Sequence, residues 1–146
     1  MFGYASMDWR KRNNTILPGA MVDDLTSFGA EFKNNSAGQT LLTEFLRAGA
    51  AGSSGTAVGP LNHPIKFPIP YLHVHYARGC TLAEAFYQSV AAPFQLIIVG
   101  DPLCRPWARI PKIDVAGIAE DGTLSGKVSL KPSAEGGAAE GDRFGF

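Results

Sequence analysis

Residues 96–103 read Leu-Ile-Ile-Val-Gly-Asp-Pro-Leu, a short apolar run that ends abruptly at Gly-Asp-Pro. Because neither face of the run carries a polar residue, it predicts a strand buried on both sides, as in a helix-covered parallel sheet. The glycine and the Asp-Pro pair predict a turn at the carboxyl end of that strand. The stretch therefore favours an α/β fold, and it leaves the function open.

The segments before this strand predict the elements that would surround it. Apolar residues at helical spacing predict a helix over residues 38–48, and a proline near the first turn predicts another over residues 70–78. Residues 81–84 read Thr-Leu-Ala-Glu, the pattern of a capping box, and predict a third helix. The small residues of segment 50–59 predict a short inner strand that opens into a loop.

The composition is that of a globular protein and narrows the range of partners. Of 146 residues, 45% are apolar and 18% are charged, and 13 basic residues balance 13 acidic ones. With no net charge and no basic run, the sequence predicts no nucleic-acid partner. No apolar stretch reaches the roughly 18 residues of a membrane span, and no motif indicates a cofactor.

His73, His75 and Cys80 are the residues that most resemble metal ligands. On the predicted helix the two histidines point in directions about 200° apart, so they cannot share one ion. No second pair of cysteine or histidine residues has the spacing of a zinc site. We therefore predict no metal site, and we expect Cys80 and Cys104 to be unpaired thiols, at least one of them buried.

Two polar segments are further candidates. Residues 52–56 read Gly-Ser-Ser-Gly-Thr but lack the lysine of a phosphate-binding P-loop. At the carboxyl edge of an open α/β sheet, Ser53, Ser54 and Thr56 would instead line a ligand cleft, and close packing of strand against helix is the alternative interpretation. The adjacent acids at 23–24 are expected to point apart into solvent.

The chain changes character after residue 109. Residues 111–132 alternate apolar and polar positions around Asp121 and Gly122, which predicts a β-hairpin with a tight Asp-Gly turn. The last residues contain little that a core would bury, so we expect a flexible tail. The predicted segments are an α/β part over residues 1–109, the hairpin over 110–132 and the tail over 133–146.

The order of these motifs resembles a known family. A small-residue strand, a capped helix reading Gly-Cys-Thr-Leu-Ala-Glu-Ala (79–85) and a strand ending Val-Gly-Asp-Pro-Leu (99–103) are similar to the second half of the caspase-like domain of gingipain-type cysteine peptidases. Residues 2–107 carry the resemblance, which is closer still to uncharacterised bacterial proteins with Gly-Asp-Pro-Leu-Cys-Arg-Pro-Trp, here residues 100–107. It implies part of a three-layer αβα domain with a mostly parallel sheet, followed by the beginning of an immunoglobulin-like sandwich.

The resemblance also implies that the catalytic residues of these peptidases are missing. The segments comparable to their histidine turn and cysteine turn are residues 3–8 and 25–29, and these contain no histidine and no cysteine. A cysteine peptidase needs a thiolate and a base that activates it. The leading hypothesis is therefore a non-catalytic structural or binding module. The alternatives are a divergent peptidase with Cys80 or Ser27 as nucleophile, and a small-ligand binder at the carboxyl edge of the sheet.

Partners and origin follow from the same resemblance. It implies that the first strands of the sheet precede residue 1, so the chain is expected to be a fragment with exposed sheet edges. Unpaired edges favour self-association, or the binding of a peptide or protein ligand. The expected source is a bacterial parent protein that is secreted or belongs to the cell envelope.

Overall fold

A computed structural model describes residues 5–9, 11–59, 63–117 and 121–136 of the chain. The chain divides into two compact units, Met1–Ala108 and Arg109–Phe146. The first unit contains helices and a small sheet, and the second contains a two-stranded sheet, so the protein is mixed α/β. Among the described residues, no helix is long and apolar enough to span a membrane.

In the described part of the first unit, the sheet has three strands in the order β1-β2-β3. β1 is Met21–Asp23, β2 is Gly52–Thr56 and β3 is Leu96–Gly100. β1 and β2 are parallel, whereas β3 runs antiparallel to β2. The inner strand predicted within segment 50–59 is confirmed as β2, which lies between the other two.

β3 differs from the strand that its sequence predicts. It lies at an edge of the sheet and not at the centre of a parallel sheet. Leu96, Ile97 and Ile98 are half-buried, and Val99 and Gly100 are exposed. The prediction of burial on both faces is wrong, because a short apolar run does not by itself reveal how much of the strand its neighbours cover.

The three predicted helices are present, in the predicted order. α1 is Leu42–Arg47, α2 is Tyr71–Ala77 and α3 is Leu82–Tyr87. α1 is shorter than the prediction over 38–48, because Leu41 before it has an extended backbone, with φ −82° and ψ 144°. Gly49 and Gly79 follow α1 and α2 with φ of +103° and +96°, the left-handed conformation that ends a helix.

The capping box at the start of α3 is confirmed. The backbone amide of Glu84 donates to Thr81 Oγ1 (3.2 Å), and the backbone amide of Thr81 donates to Glu84 Oε2 (2.8 Å). These reciprocal bonds satisfy two amides that the first turn of a helix leaves without intrahelical partners. Helix α3 therefore begins where the local sequence places it.

The core of the first unit forms between the sheet and helices α2 and α3. Leu72 of α2 and Leu82 and Phe86 of α3 are almost completely buried, and Ile98 of β3 packs against them. Gly52 of β2 allows this close approach, because a Cβ at that position would lie 2.5 Å from Leu82 Cδ1. Helix α3 therefore packs closely against a glycine of the central strand.

The second unit corrects the predicted hairpin. Its strands are β4, Lys112–Ala116, and β5, Lys131–Glu135, and they pair antiparallel. Residues 117–130 separate the two strands, so the prediction that a tight turn at Asp121 and Gly122 joins them directly is wrong. Both strands are exposed along their whole length, so burial does not set their register.

The predicted tail is also corrected in part. Residues 133–135 belong to β5 and are not irregular, because they pair with residues 112–114 of β4. Residues 137–146 of the predicted tail lie outside the described residues.

Candidate functional site

The carboxyl ends of the parallel strands β1 and β2 hold a buried polar cluster. Asp23 at the end of β1 is completely buried, and Asp24 is 3% exposed. The expectation that these two acids point into solvent is wrong. Adjacent residues of a strand do point to opposite faces, but both faces of β1 are covered here, as the burial of Val22 also indicates.

Ser53, Ser54 and Thr56 lie inside β2 and do not line a cleft. All three are at most 2% exposed. Ser54 Oγ donates to Asp23 Oδ1, and Thr56 Oγ1 donates to the carbonyl of Thr26 (2.9 Å). The prediction of a ligand-binding loop at these residues is wrong, because the segment is a paired strand, in which the hydroxyl of Ser54 bonds to β1 and that of Thr56 bonds to the loop after β1.

Burial controls the electrostatics of Asp23. Removal from water raises the pKa of the Asp23 carboxyl above its usual range, and the hydrogen bond from Ser54 acts in the opposite direction. Asp23 Oδ2 has no hydrogen-bond partner among the described residues. An acid placed in this way is held in the neutral form more readily than an exposed one, and it stays out of reach of a substrate in solution.

Cys80, the first candidate nucleophile, lies between α2 and α3 in the core. It is 4% exposed, and its sulfur accepts a long hydrogen bond from Gln88 Nε2 (3.7 Å). Burial raises the pKa of the Cys80 thiol, which disfavours the thiolate. The environment of Cys80 is therefore that of a packing residue. Cys80 and Cys104 are both free cysteines.

Ser27, the second candidate, lies in the loop after β1 and is half-buried. Its backbone carbonyl accepts a hydrogen bond from Thr56 Oγ1 (2.5 Å), which ties this loop to the end of β2. Ser27 and Cys80 lie on different elements. The backbone amide of Cys80 donates to the carbonyl of His75 (3.2 Å), but the Cys80 thiol bonds to Gln88 and not to a histidine ring, among the described residues.

His73 and His75 both lie on α2, as predicted. His73 is exposed and His75 is half-buried, with its ring 6.4 Å from that of Tyr71. Within the part of the chain that the structure describes, no group of three or more His, Cys, Asp or Glu side chains is placed to hold a metal ion.

A cleft of about 370 Å³ lies beside the loop that follows β1. Gln39 at its wall accepts a hydrogen bond from the backbone amide of Phe28 (2.8 Å), and Thr40 accepts one from the amide of Met7 (2.6 Å). Sequence reasoning missed this cleft, because its walls come from segments 6–9 and 35–44, which share no motif. Asp8, Trp9 and Glu44 also line it.

The outer edge of β3 is a second kind of candidate site. The amide of Asp101 donates to the carbonyl of Ala51 (2.9 Å), one position beyond the last pair in the β2–β3 register. In an antiparallel pair, hydrogen-bonded residues alternate with non-bonded ones. Counting back from Asp101, Ile97 and Val99 therefore direct their amides and carbonyls toward β2.

The intervening residues direct their backbone groups to the open side of the sheet. These are Leu96, Ile98 and Gly100. The amide of Leu96 bonds to the carbonyl of Pro93 in the preceding 3₁₀ turn. Among the described residues, the other amides and carbonyls on this side have no hydrogen-bond partner, because β3 is the last strand of its sheet.

Exposed apolar side chains flank this edge. Val99 is 36% exposed, and Phe94 just before β3 is 95% exposed. Leu103, which follows β3 in the chain, is also exposed. Single exposed apolar residues are ordinary, but several in and next to one unpaired strand are typical of a surface that contacts another protein.

No family model matches this chain, and no curated protein or solved structure matches it.

Proposed function

We propose that this chain is a caspase-like, three-layer αβα module that acts by binding a protein strand and not by catalysis. The single observation that carries this proposal is the unpaired edge of β3. Ile98 and Gly100 offer two amides there, and Leu96, Ile98 and Gly100 offer three carbonyls. An extended segment of a partner can add to such an edge through main-chain hydrogen bonds.

The buried polar cluster of β1 and β2 supports a structural role for Ser54 and Thr56, which the sequence offered as residues of a binding loop. Ser54 and Thr56 use their hydroxyls to hold β1 and the loop after it. The raised pKa of the buried Cys80 thiol argues in the same direction, because a nucleophilic cysteine needs a depressed pKa or an adjacent base.

The proposal is tested with an extended peptide as probe. A soluble peptide of about eight residues, alternating threonine and valine, provides a strand with no other recognition feature. We expect it to shift the amide resonances of Ile98 and Gly100 and to leave those of Leu72 and Phe86 unchanged. A peptide with the same side chains, N-methylated at every residue, is the control. It lacks the N–H donors on both edges, and we expect binding to weaken.

A binding role fails if neither this peptide nor a second copy of the chain perturbs Ile98 and Gly100. The catalytic alternative is tested separately, by incubation with a broad peptide library. We expect no cleavage. Cleavage that Cys80→Ala or Ser27→Ala abolishes would establish the divergent peptidase in its place.

A second candidate function is the binding of a small ligand in the cleft of about 370 Å³, a volume within the usual range for such sites. The position of the cleft favours ligand binding. Gln39 connects the cleft to the loop at the carboxyl end of β1, and open α/β sheets bind ligands at that end of their strands. Thermal-shift measurements with a panel of acids, sugars and nucleotides test this function. A flat response contradicts it.

A further inference from the structure

We infer that the partner strand is β3 of a second copy of this chain, paired antiparallel about a two-fold axis at Ile98. This inference rests on the proposed function, because it names the occupant of the edge that the function uses.

The pattern of donors and acceptors along the edge is self-complementary. In an antiparallel pairing centred on Ile98, each Ile98 faces Ile98 of the other copy, and each Gly100 faces Leu96. The outward groups of Ile98 then exchange two hydrogen bonds, as in a bonded antiparallel pair. The amide of each Gly100 also meets the carbonyl of Leu96, so the amide of Leu96 that already bonds to Pro93 is not needed.

The residues at the two ends limit how far the pairing can extend. Pro102 has no amide hydrogen, so the next outward position beyond Gly100 cannot donate. The 3₁₀ turn at Pro93–Gln95 ends the extended backbone on the other side. Strand β3 itself, residues 96–100, contains no charged residue and no proline, the devices that usually prevent strands from pairing, and the charged Asp101 follows the strand.

The side chains on the less covered face also match. In the same register Ile97 of one copy lies opposite Val99 of the other, as a non-hydrogen-bonded pair with Cα atoms about 4.5 Å apart. Pairs of β-branched residues stabilise adjacent strands. Val99, which is 36% exposed in the single chain, would be covered by this contact.

Sedimentation velocity of the full chain, from about 1 μM to about 1 mM, tests the association. We expect a concentration-dependent dimer. Val99→Lys would place a charge opposite Ile97 and should raise the dimer dissociation constant at least about tenfold. Val58→Lys is the matched control, since Val58 is 59% exposed but follows β2 and is not part of β3, and we expect it to leave the constant unchanged.

A mixing experiment tests the register without a charged substitution. Ile97→Cys and Val99→Cys chains are each oxidised alone and then as an equal mixture. The register places position 97 opposite position 99, so the mixture should form an intermolecular disulfide that neither variant forms alone. The wild-type chain, which carries Cys80 and Cys104, gives the background for every sample.

The outcomes separate this inference from the proposed function. A wild-type chain that stays monomeric throughout overturns the dimer, and so does a dimer that Val99→Lys and Val58→Lys affect equally. Equal cross-linking in all cysteine samples overturns the register. If the chain is monomeric but the threonine–valine peptide shifts Ile98 and Gly100, the second copy is rejected and strand binding remains.

Discussion

The polar interior at β1 and β2 contrasts with the apolar edge at β3. Asp23, Ser53 and Ser54 carry polar side chains, and all three are buried. Ile97 and Val99 are among its most apolar residues, and they are half-buried and exposed. The two regions lie in the same sheet, and Ser53 is the register partner of Val99.

This contrast teaches that a residue's position in the sheet decides its burial more than its own hydrophobicity does. β2 is central and covered on both faces, so its side chains are small, and the hydroxyls of Ser54 and Thr56 find partners inside the protein. Among the described residues, β3 has a neighbouring strand on one side alone, so apolar residues there remain accessible. We interpret the first region as structural and the second as the binding surface.

The largest effect is expected where the central strand has no room for a side chain. A Cβ on Gly55 would lie 2.6 Å from the carbonyl carbon of Gly29 and 2.9 Å from the amide nitrogen of Ala30. Both are backbone atoms, so we expect Gly55→Ala to lower the free energy of unfolding by about 3 kcal/mol. Urea unfolding measures this loss.

Gly29→Ala is the control for this substitution. Its Cβ would meet Thr26 Cγ2 at 3.3 Å, a contact that a small movement relieves, so we expect a much smaller loss. Equal losses for Gly55→Ala and Gly29→Ala would show that the close packing at β2 is not what limits this strand.

Adjacent serines in β2 provide the next comparison. Ser54→Ala removes the hydrogen bond to the buried Asp23 carboxyl and should cost about 2 kcal/mol of unfolding free energy, since it leaves that group unsatisfied. Ser53 Oγ has no hydrogen-bond partner among the described residues, so Ser53→Ala should be neutral or stabilising. A larger loss for Ser53→Ala than for Ser54→Ala would contradict this description of the polar cluster.

The smallest of the stability effects depends on pH. Because the pKa of Asp23 is raised in the folded chain, the folded state binds a proton more tightly than the unfolded state. The stability that Asp23 contributes is therefore fully present at a pH below 3.8, the usual pKa of this carboxyl. It is lost as the pH rises through the raised pKa of the folded chain.

Asp23→Asn removes this titration and keeps an oxygen for the bond from Ser54. The variant should gain stability relative to wild type between acidic and neutral pH, by about 1 kcal/mol. Urea unfolding of both chains at several pH values measures the gain. A difference that is constant with pH, or that moves in favour of wild type as the pH rises, contradicts the assignment.

Local signals in the sequence were sufficient for the helices and for the positions of two strands. The capping box at Thr81 and Glu84 and the glycines after α1 and α2 act within a few residues, so their outcome does not depend on the rest of the fold. The turn after β3 also follows its sequence, because Asp101 Oδ1 accepts a bond from the amide of Leu103 (3.0 Å).

Features that depend on contacts between distant segments could not be predicted from local sequence signals. The direction of β3 and its place at the edge are set by pairing with β2, whose residues lie 40 to 48 positions earlier in the chain. The burial of Asp23 depends on Ser54, and the cleft depends on contacts between Thr40 and Met7. In the second unit, β5 pairs in an exposed register that no pattern of burial marks.

The most direct test of the binding surface is residue-resolved hydrogen exchange of β3 at low and high protein concentration. In the dilute chain, the amides of Ile97 and Val99 should exchange slowly because they bond to β2, and those of Ile98 and Gly100 should exchange fast. At high concentration, Ile98 and Gly100 should become protected while Ile97 and Val99 do not change. Slow exchange of Ile98 and Gly100 in the dilute chain, or fast exchange of both at every concentration, would contradict the account.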